Sequence, residues 1–245
     1  MDIRIMAAVE GLLFGVSMFF FMLDRNGGTY GLKSKYVYER EASSYEKAAD
    51  ECDQEMINRE VLNLYSQYED FVGFLTVDGT SIAYPVMRDR TDSSGNYYYL
   101  THDYRGEDDR SGCPFIRRSA DIDGDIVEIY AHNNSNGTMF ADLVKFENEE
   151  FFNRYGHVTL DTAQGKREYR VIAVLDVEVG GGEFNYFGWS NFASDEDEAF
   201  FLDEVYGSAV ISSDAFVPGG RSYLMLVTCE YSHQNGRRVV VAVSM

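Results

Sequence analysis

The sequence predicts a mainly β protein with helices, of the α+β class. Three observations lead to this prediction. From residue 71 onward the chain is divided into short apolar or alternating runs bounded by Gly, Asp and Asn, a texture typical of a barrel or a sandwich. Two stretches, near 139–153 and 196–206, have helical character and interrupt the strands. A further helical pattern precedes the first strand.

Eight runs are predicted as strands, because each is short, is rich in apolar and aromatic residues, and ends at turn-forming residues. These runs are 74–77, 82–87, 97–100, 126–131, 158–160, 169–179, 223–228 and 239–243. Together they form one main domain at 71–245.

The helical pattern before this domain begins with Ser43 and Glu46, which have the spacing of a capping box. Apolar residues then follow at helical intervals: Tyr45, Ala49, Cys52 and Met56. The pattern predicts a helix or helix pair that ends at about Tyr68. The region 24–70 is therefore interpreted as a linker followed by helices.

The amino-terminal region has the pattern of a membrane anchor. Residues 5–23 are apolar apart from Glu10 and Ser17, and the stretch is about long enough to cross a bilayer as a helix. Asp24 follows instead of a small-residue cleavage site, which favours an uncleaved anchor over a removed signal peptide. Residues 1–4 would then be a short cytoplasmic end. A buried amphipathic helix is the alternative, and Glu10 favours it.

Charge and cysteine content limit the classes of function. The formal net charge of −20, from 41 acidic and 21 basic residues, would repel phosphate backbones, so nucleic acid is not expected as a partner. Three cysteines are too few for a disulfide framework. No CxxC pair is present, so a structural zinc site is not predicted. Cys52 and Cys113 are interpreted as small buried hydrophobic residues.

The third cysteine has the surroundings of a nucleophile. Cys229 lies at the end of an apolar run, eight positions before Arg237, and another apolar run leads to His132 in a polar stretch. A cysteine attacks carbonyls as the thiolate, and it needs a base or positive charge nearby and a donor for the developing oxyanion. Imidazole and guanidinium groups supply both, so the three residues together indicate acyl transfer.

Two other residues compete for these roles. Arg237 and Arg238 are adjacent, so on a strand their side chains point to opposite faces and at most one of them can share a face with Cys229. His233 is only four residues from Cys229 and is the second candidate for the base. It ranks below His132 because its neighbours form a turn pattern. The order of the residues does not fit papain-like or caspase-like proteases.

Several ordered blocks of the chain resemble the sortases, and within them class B. The blocks are 71–75, 79–86, 98–100, 112–116, 130–133, 137–143, 151–152, and 226–229 with Arg237 and the valine run 239–241. Together they cover about residues 45–245. Val227 and Ala131 are positions at which the chain departs from the usual serine and glycine of that family.

The resemblance implies a membrane-anchored, extracellular cysteine transpeptidase on an eight-stranded β-barrel, without a metal or cofactor. By position, Cys229 is the nucleophile, His132 the general acid and base, and Arg237 the residue that positions substrate and stabilises the oxyanion. Seven further positions match residues that line the peptide groove: Asn96, Tyr130, Tyr186, Phe187, Val227, Thr228 and Glu230. A loop at 180–191 with three glycines is expected to close over the peptide.

The same resemblance implies the reaction and its partners. The expected substrate is a surface protein with a carboxy-terminal sorting signal, cleaved after threonine through a Cys229 thioester and transferred to a peptidoglycan stem-peptide or cross-bridge amine. Three alternatives stay open: a pilus-assembling transpeptidase, a plain cysteine peptidase, and an inactive membrane-tethered binding module.

Overall fold

A computed structural model of the protein describes residues 54–91, 97–178, 184–229 and 236–245. Nine strands form one sheet in these ranges: β1 (Phe71–Val77), β2 (Ala83–Arg88), β3 (Phe115–Ile116), β4 (Ile126–Tyr130), β5 (His157–Thr162), β6 (Gly165–Glu178), β7 (Ala209–Ser212), β8 (Tyr223–Cys229) and β9 (Gly236–Ser244). Three α-helices accompany them, α1 (Gln54–Gln67), α2 (Glu149–Tyr155) and α3 (Asp195–Ser208), with 3₁₀ helices at Tyr98–Leu100, Ala141–Glu147 and Tyr186–Gly188.

Eight of the strands close into a barrel. Their order is β5-β1-β2-β3-β4-β8-β9-β6, and β6 pairs again with β5, which completes the ring. β7 is a ninth strand that pairs antiparallel with β6 beyond the end of β5. The expected eight-stranded barrel with helices is therefore confirmed, with one short strand added at its wall.

The core contains large side chains that are fully buried on both sides of the barrel wall, among them Phe74, Leu75, Ile82, Phe115 and Tyr223. β4 is buried along its whole length and β8 along all but its last residue. Both of these central strands are therefore covered on the outer face as well as on the inner face. Because both faces of β4 and β8 are buried, their sequences are rich in Ile, Leu and Val, and this composition is the pattern from which the two strands were predicted.

Most of the predicted elements are present, and one is wrong. The run 97–100 was expected to be a strand, but its last three residues form the 3₁₀ helix Tyr98–Leu100. Tertiary contacts hold this turn: the Tyr99 amide donates to Asp89, and its hydroxyl donates to Asp70 at 2.8 Å. A short aromatic run is a weak predictor of a strand where side chains from other parts of the chain accept hydrogen bonds from its backbone.

Two strands were not predicted, β3 and β7, because both are short: two and four residues. The helical stretches near 139–153 and 196–206 are confirmed by the 3₁₀ helix Ala141–Glu147, α2 and α3. Cys113 lies in an irregular segment just before β3 and is buried, as expected for a small hydrophobic residue.

The membrane anchor predicted at 5–23 and the linker lie outside the described residues. Within the ranges that the structure describes, no helix combines the length and the apolar character needed to cross a bilayer.

Strand direction determines where the site forms. β4 and β8 run parallel, with Tyr130 beside Val227, so their carboxyl ends lie at the same edge of the barrel. β9 is antiparallel to β8 and begins at that edge. The chain therefore brings the residues after β4, the end of β8 and the start of β9 together, although about 100 residues separate the first from the others.

Candidate active site

Cys229 and Arg237 are a directly opposed pair on the antiparallel strands β8 and β9. Directly opposed residues have Cβ atoms about 5 Å apart, so the thiol and the base of the arginine side chain are neighbours. Cys229 is partly buried, and Arg237 donates through Nη1 to the Gly236 carbonyl at 2.8 Å. The guanidinium thus has further donors for another acceptor.

Arg238 points to the other face of β9. Its Nε and Nη2 atoms each donate to a carboxylate oxygen of Asp176 at 2.8 Å, and Nη2 also contacts Glu147. Only 4% of Arg238 is exposed. This side chain is saturated by acidic partners, so of the two arginines Arg237 is the one on the Cys229 side.

His132 follows β4 by two residues, and its imidazole is held by a backbone carbonyl. Nε2 lies 2.8 Å from the Leu100 oxygen. A carbonyl oxygen can only accept, so Nε2 must carry the proton at this contact, which leaves Nδ1 as the acceptor in the neutral ring. The His132 carbonyl in turn accepts from the Phe140 amide at 2.8 Å. The ring is therefore oriented by the 3₁₀ helix Tyr98–Leu100.

Three hydrogen bonds tie the His132 segment to the Cys229 strand. The Thr228 hydroxyl donates to the Ala131 carbonyl at 2.8 Å, and the Asn133 side-chain amide donates to the Cys229 carbonyl at 3.0 Å. The Ala131 amide donates to Val227 at 3.2 Å. Because these bonds span almost 100 positions of sequence, the relative placement of the imidazole segment and the thiol strand is determined by the barrel.

Tyr186 links the third 3₁₀ helix to the arginine. The Tyr186 hydroxyl is hydrogen-bonded to Arg237. Burial raises the pKa of Tyr186 to about 12, although the Arg237 charge opposes the shift. The phenol therefore stays neutral, and it can accept from the guanidinium without adding a negative charge at the site.

Phe187, next in the chain, is 40% exposed and stacks on the Tyr130 ring with centroids 6.1 Å apart. Tyr130 itself is almost fully buried, as are Val227 and Thr228. The structure thus gathers these predicted groove residues at the site edge, but only Phe187 among them presents a large surface to solvent.

Several predicted residues lie outside the described part of the chain. Asn96, Glu230 and the competing base His233 belong to this group, as do the three glycines at 180–182 of the predicted closing loop. Among the residues that the structure describes, no group of three or more His, Cys, Asp or Glu side chains has the arrangement of a metal site.

Sequence reasoning missed two features of the site. The Leu100 carbonyl that holds His132 is a backbone group, and no side-chain pattern marks it. Glu128 and its partner Arg117 were missed although a signal existed, since Glu128 is the one charged residue within the apolar run 126–131. A charged residue in a fully buried strand requires a partner, and this pair lies beneath Phe187.

Together the groups form a constellation suited to covalent acyl transfer. A thiol can provide the nucleophile, an imidazole that holds a proton on Nε2 can exchange a proton at Nδ1, and a guanidinium with several donors can hold an oxyanion. The described residues of the site supply all three roles at one edge of the barrel.

Comparisons with known proteins show which chains this one is similar to. Sortase B of Listeria monocytogenes is 28% identical over 211 residues, which are 84% of this chain and 80% of that protein. Sortase B of Staphylococcus aureus is 28% identical over 225 residues, 87% of this chain and 88% of the relative. No family model matches the chain.

Solved structures of class B sortases are also similar to this chain. Clostridium perfringens sortase B is 29% identical and superposes with a TM-score of 0.66 over 75% of this chain and 98% of its own. A Staphylococcus aureus sortase B–substrate complex is 25% identical with a TM-score of 0.76, over 89% of this chain and 99% of that one. The sequence and the fold both confirm the resemblance to class B sortases that the motifs indicated.

Proposed function

We propose that this cysteine transpeptidase cleaves a carboxy-terminal sorting signal after threonine and transfers the surface protein to an amine of cell-wall peptidoglycan. The observation that carries the proposal is the direct pairing of Cys229 with Arg237 at the strand edge to which His132 is tied. The Staphylococcus aureus sortase B has been solved as a complex with its substrate, which supports a peptide substrate for this chain.

The first half of the reaction forms a thioester. The Cys229 thiolate attacks the carbonyl carbon of the threonine, and the carbonyl oxygen becomes an oxyanion that receives hydrogen bonds from Arg237. Protonated His132 gives its proton to the leaving amine as the carbon–nitrogen bond breaks. The downstream fragment departs, and the upstream protein stays attached to sulfur.

The second half transfers the acyl group. An incoming amine loses a proton to the now neutral His132 and attacks the thioester carbonyl. Arg237 again holds the oxyanion, and the carbon–sulfur bond breaks to return the thiolate. A new amide bond results, and the imidazole ends protonated, as it began. Transfer competes with hydrolysis, so the outcome depends on whether an amine or water reaches the thioester first.

The decisive experiment compares Cys229→Ala with Cys113→Ala. Both variants lose one thiol, but only the first loses the proposed nucleophile, because the buried Cys113 thiol bonds to the Pro85 carbonyl in the barrel wall. Peptides from a sorting-signal library are incubated with each protein, with and without an added amine, and the products are identified by mass spectrometry. Cleavage after threonine by wild type and by Cys113→Ala, with none by Cys229→Ala, is expected.

The same assay separates transfer from hydrolysis. If the enzyme is a transpeptidase, added amine diverts the acyl product from acid to amide, and a thioester adduct that hydroxylamine releases is found on Cys229. Cleavage that is indifferent to amines would identify a plain cysteine peptidase. A lack of any Cys229 adduct with every peptide would contradict the proposed function.

We also propose that residues 5–23 anchor the protein in the membrane with the barrel outside the cell. The apolar stretch of the sequence supports this placement. External protease added to intact protoplasts should degrade the barrel while leaving cytoplasmic proteins intact. Protection of the barrel under those conditions would contradict the extracellular placement.

A further inference from the structure

A buried carboxylate lies beneath the site and has no role in the reaction described above. Glu128, in the middle of β4, is only 3% exposed. Its Oε2 atom is 2.9 Å from Nη2 of Arg117 and also accepts from the Tyr130 hydroxyl. Within the described residues, Oε1 of Glu128 and Nε of Arg117 make no hydrogen bond.

Burying the Glu128–Arg117 ion pair is not expected to add much to the free energy of unfolding. Removing a carboxylate from water costs several kcal/mol, and a buried ion pair often repays only part of that cost. Burial accordingly raises the pKa of Glu128, although Tyr130 and Arg117 oppose the shift. A buried pair with polar atoms left unpartnered calls for a role in fixing one particular geometry.

Both partners of Glu128 support the same aromatic ring. Tyr130 stacks on Phe187 with an interplanar angle of 18°, and the Arg117 guanidinium carbon lies 5.7 Å from the Phe187 ring centroid. Glu128 and Tyr130 are two positions apart on β4, so their side chains share a face of the strand. The Glu128 carboxylate therefore joins two of the groups that contact the Phe187 ring, Tyr130 and Arg117.

Phe187 in turn lies against the group beside the thiol. The rings of Tyr186 and Phe187 are 4.3 Å apart, and the Tyr186 hydroxyl is bonded to Arg237. Arg237 faces Cys229 across the strand pair. A continuous set of contacts thus runs from the buried carboxylate to the catalytic edge, through the 3₁₀ helix Tyr186–Gly188.

We infer that Glu128 is a positioning residue for the peptide substrate. It fixes Arg117 and Tyr130, which hold Phe187 and Tyr186 in the place where the peptide is bound next to Arg237. The inference rests on the proposed function, because it concerns binding at the same site. Glu128 touches neither the thiol nor the imidazole, so its loss affects binding more than the chemical step.

The main test is Glu128→Gln, which keeps the shape of the side chain but removes the charge that Arg117 needs. For the preferred sorting peptide we expect KM to rise about tenfold, while kcat stays within about threefold of wild type. In a Phe187→Ala background the same change should no longer alter KM, because the ring through which Glu128 acts is gone. An unchanged KM in Glu128→Gln overturns the inference, and so does an undiminished effect in the Phe187→Ala background.

Asp176→Asn is the matched control. It also breaks an ion pair of a well-buried arginine, Arg238, but on the opposite face of the strand pair. The thermal midpoint should fall while KM stays unchanged. Should Glu128→Gln fail to fold, Tyr130→Phe removes only one of the two links to the carboxylate, and a smaller rise in KM is expected. A Tyr130→Phe enzyme with wild-type KM then counts against the inference.

A second measurement does not depend on activity. Trp189 is the single tryptophan of the chain and follows the 3₁₀ helix directly. Release of Phe187 in Glu128→Gln should increase quenching of Trp189 fluorescence by acrylamide, whereas Asp176→Asn should not. If wild type cleaves no sorting peptide, the proposed function fails. The positioning role is then decided by this quenching: an increase supports it, and wild-type quenching overturns it.

Discussion

Cys229 and Arg237 are opposed across β8 and β9, whereas Arg238, one residue further, binds Asp176 on the other face of the same strand. The two adjacent arginines therefore lie on opposite faces of β9 and have different surroundings. Arg237 lies beside the Cys229 thiol. Arg238 is buried, and its guanidinium contacts the carboxylates of Asp176 and Glu147. The alternation of side chains along a strand is the physical cause of this division.

Arg237→Lys and Arg238→Lys should therefore have opposite effects. A lysine at 237 keeps the charge but loses the planar fork that can bind Tyr186 and an oxyanion together, so kcat/KM should fall about 100-fold or more with little change in stability. A lysine at 238 loses the two-bonded contact to Asp176, so the free energy of unfolding should fall by about 1–3 kcal/mol with kcat/KM nearly unchanged. Steady-state kinetics and urea unfolding measure both. Loss of activity from the second variant alone would reverse the assignment.

His132 should be found in one tautomer. The contact of Nε2 with the Leu100 carbonyl requires a proton on Nε2, so the neutral ring should show the Nε2–H pattern in two-bond ¹H–¹⁵N spectra. His132→Asn should lower kcat by about 10²–10⁴-fold, the usual contribution of a general acid and base. His157→Gln, in β5, is the control and should leave kcat unaltered. A proton found on Nδ1 would show that the carbonyl does not orient the ring.

Two glycines with the same backbone conformation should differ sharply in their tolerance of alanine. Gly112 and Gly137 have φ of +66° and +79°, so alanine costs each about 1 kcal/mol of backbone strain. At Gly137 an added Cβ meets nothing within 4 Å, whereas at Gly112 it lies 2.5 Å from the Tyr99 carbonyl oxygen and 3.0 Å from that of Leu100. Gly112→Ala must therefore move the backbone that holds His132.

We expect Gly112→Ala to lower the free energy of unfolding by about 2–4 kcal/mol and to reduce kcat as well. Gly137→Ala should lose only about 1 kcal/mol and keep its kcat. Thermal unfolding and kinetics of the two variants provide the comparison. Equal losses of stability would mean that the close approach at Gly112 relaxes without cost.

The parts of the fold that follow from local pattern were predictable from sequence. The apolar runs at 126–131 and 223–228 correspond to β4 and β8 because these strands are buried on both faces, which produces a hydrophobic signal that only Glu128 breaks in β4. The turn at 98–100 was not predictable, because its geometry depends on Asp70 and Asp89, which lie far from it in sequence. β3 has only two residues, so it is too short to show the alternation of apolar and polar residues that predicts a strand.

The site divides in the same way. The side chains proposed to perform the chemistry, Cys229, His132 and Arg237, lie in recognisable motifs of the sequence. The groups that position them carry none, since the Leu100 carbonyl is backbone and the Glu128–Arg117 pair forms only when β3 and β4 are neighbours. Reactive side chains are easier to predict from sequence than the groups that position them, because the positioning groups are determined by tertiary contacts.

Asp161 should make the protein less stable as the pH rises through the mildly acidic range. It is 2% exposed in β5, and burial raises its pKa from 3.8 to about 6, opposed by Lys166 and aided by Glu168. Between about pH 4 and pH 6 the folded protein therefore retains a proton that the unfolded chain has released. The unfolded state binds fewer protons in this window, so the free energy of unfolding falls as pH increases, and the loss persists above pH 6.

Asp161→Asn removes this ionisation and isolates its contribution. At pH 8 the variant should be more stable than wild type by up to about 3 kcal/mol, since one pKa unit corresponds to about 1.4 kcal/mol. At pH 4 the Asp161 carboxyl is protonated in the folded state and near its midpoint in the unfolded chain, so most of the difference should vanish. Urea unfolding at pH 4, 6 and 8 measures the gap, and Glu150→Gln, an exposed carboxylate on α2, controls for the change in net charge. A gap between Asp161→Asn and wild type that is the same at all three pH values would mean that Asp161 does not ionise differently in the folded and unfolded states, since the pH dependence comes only from the displaced pKa.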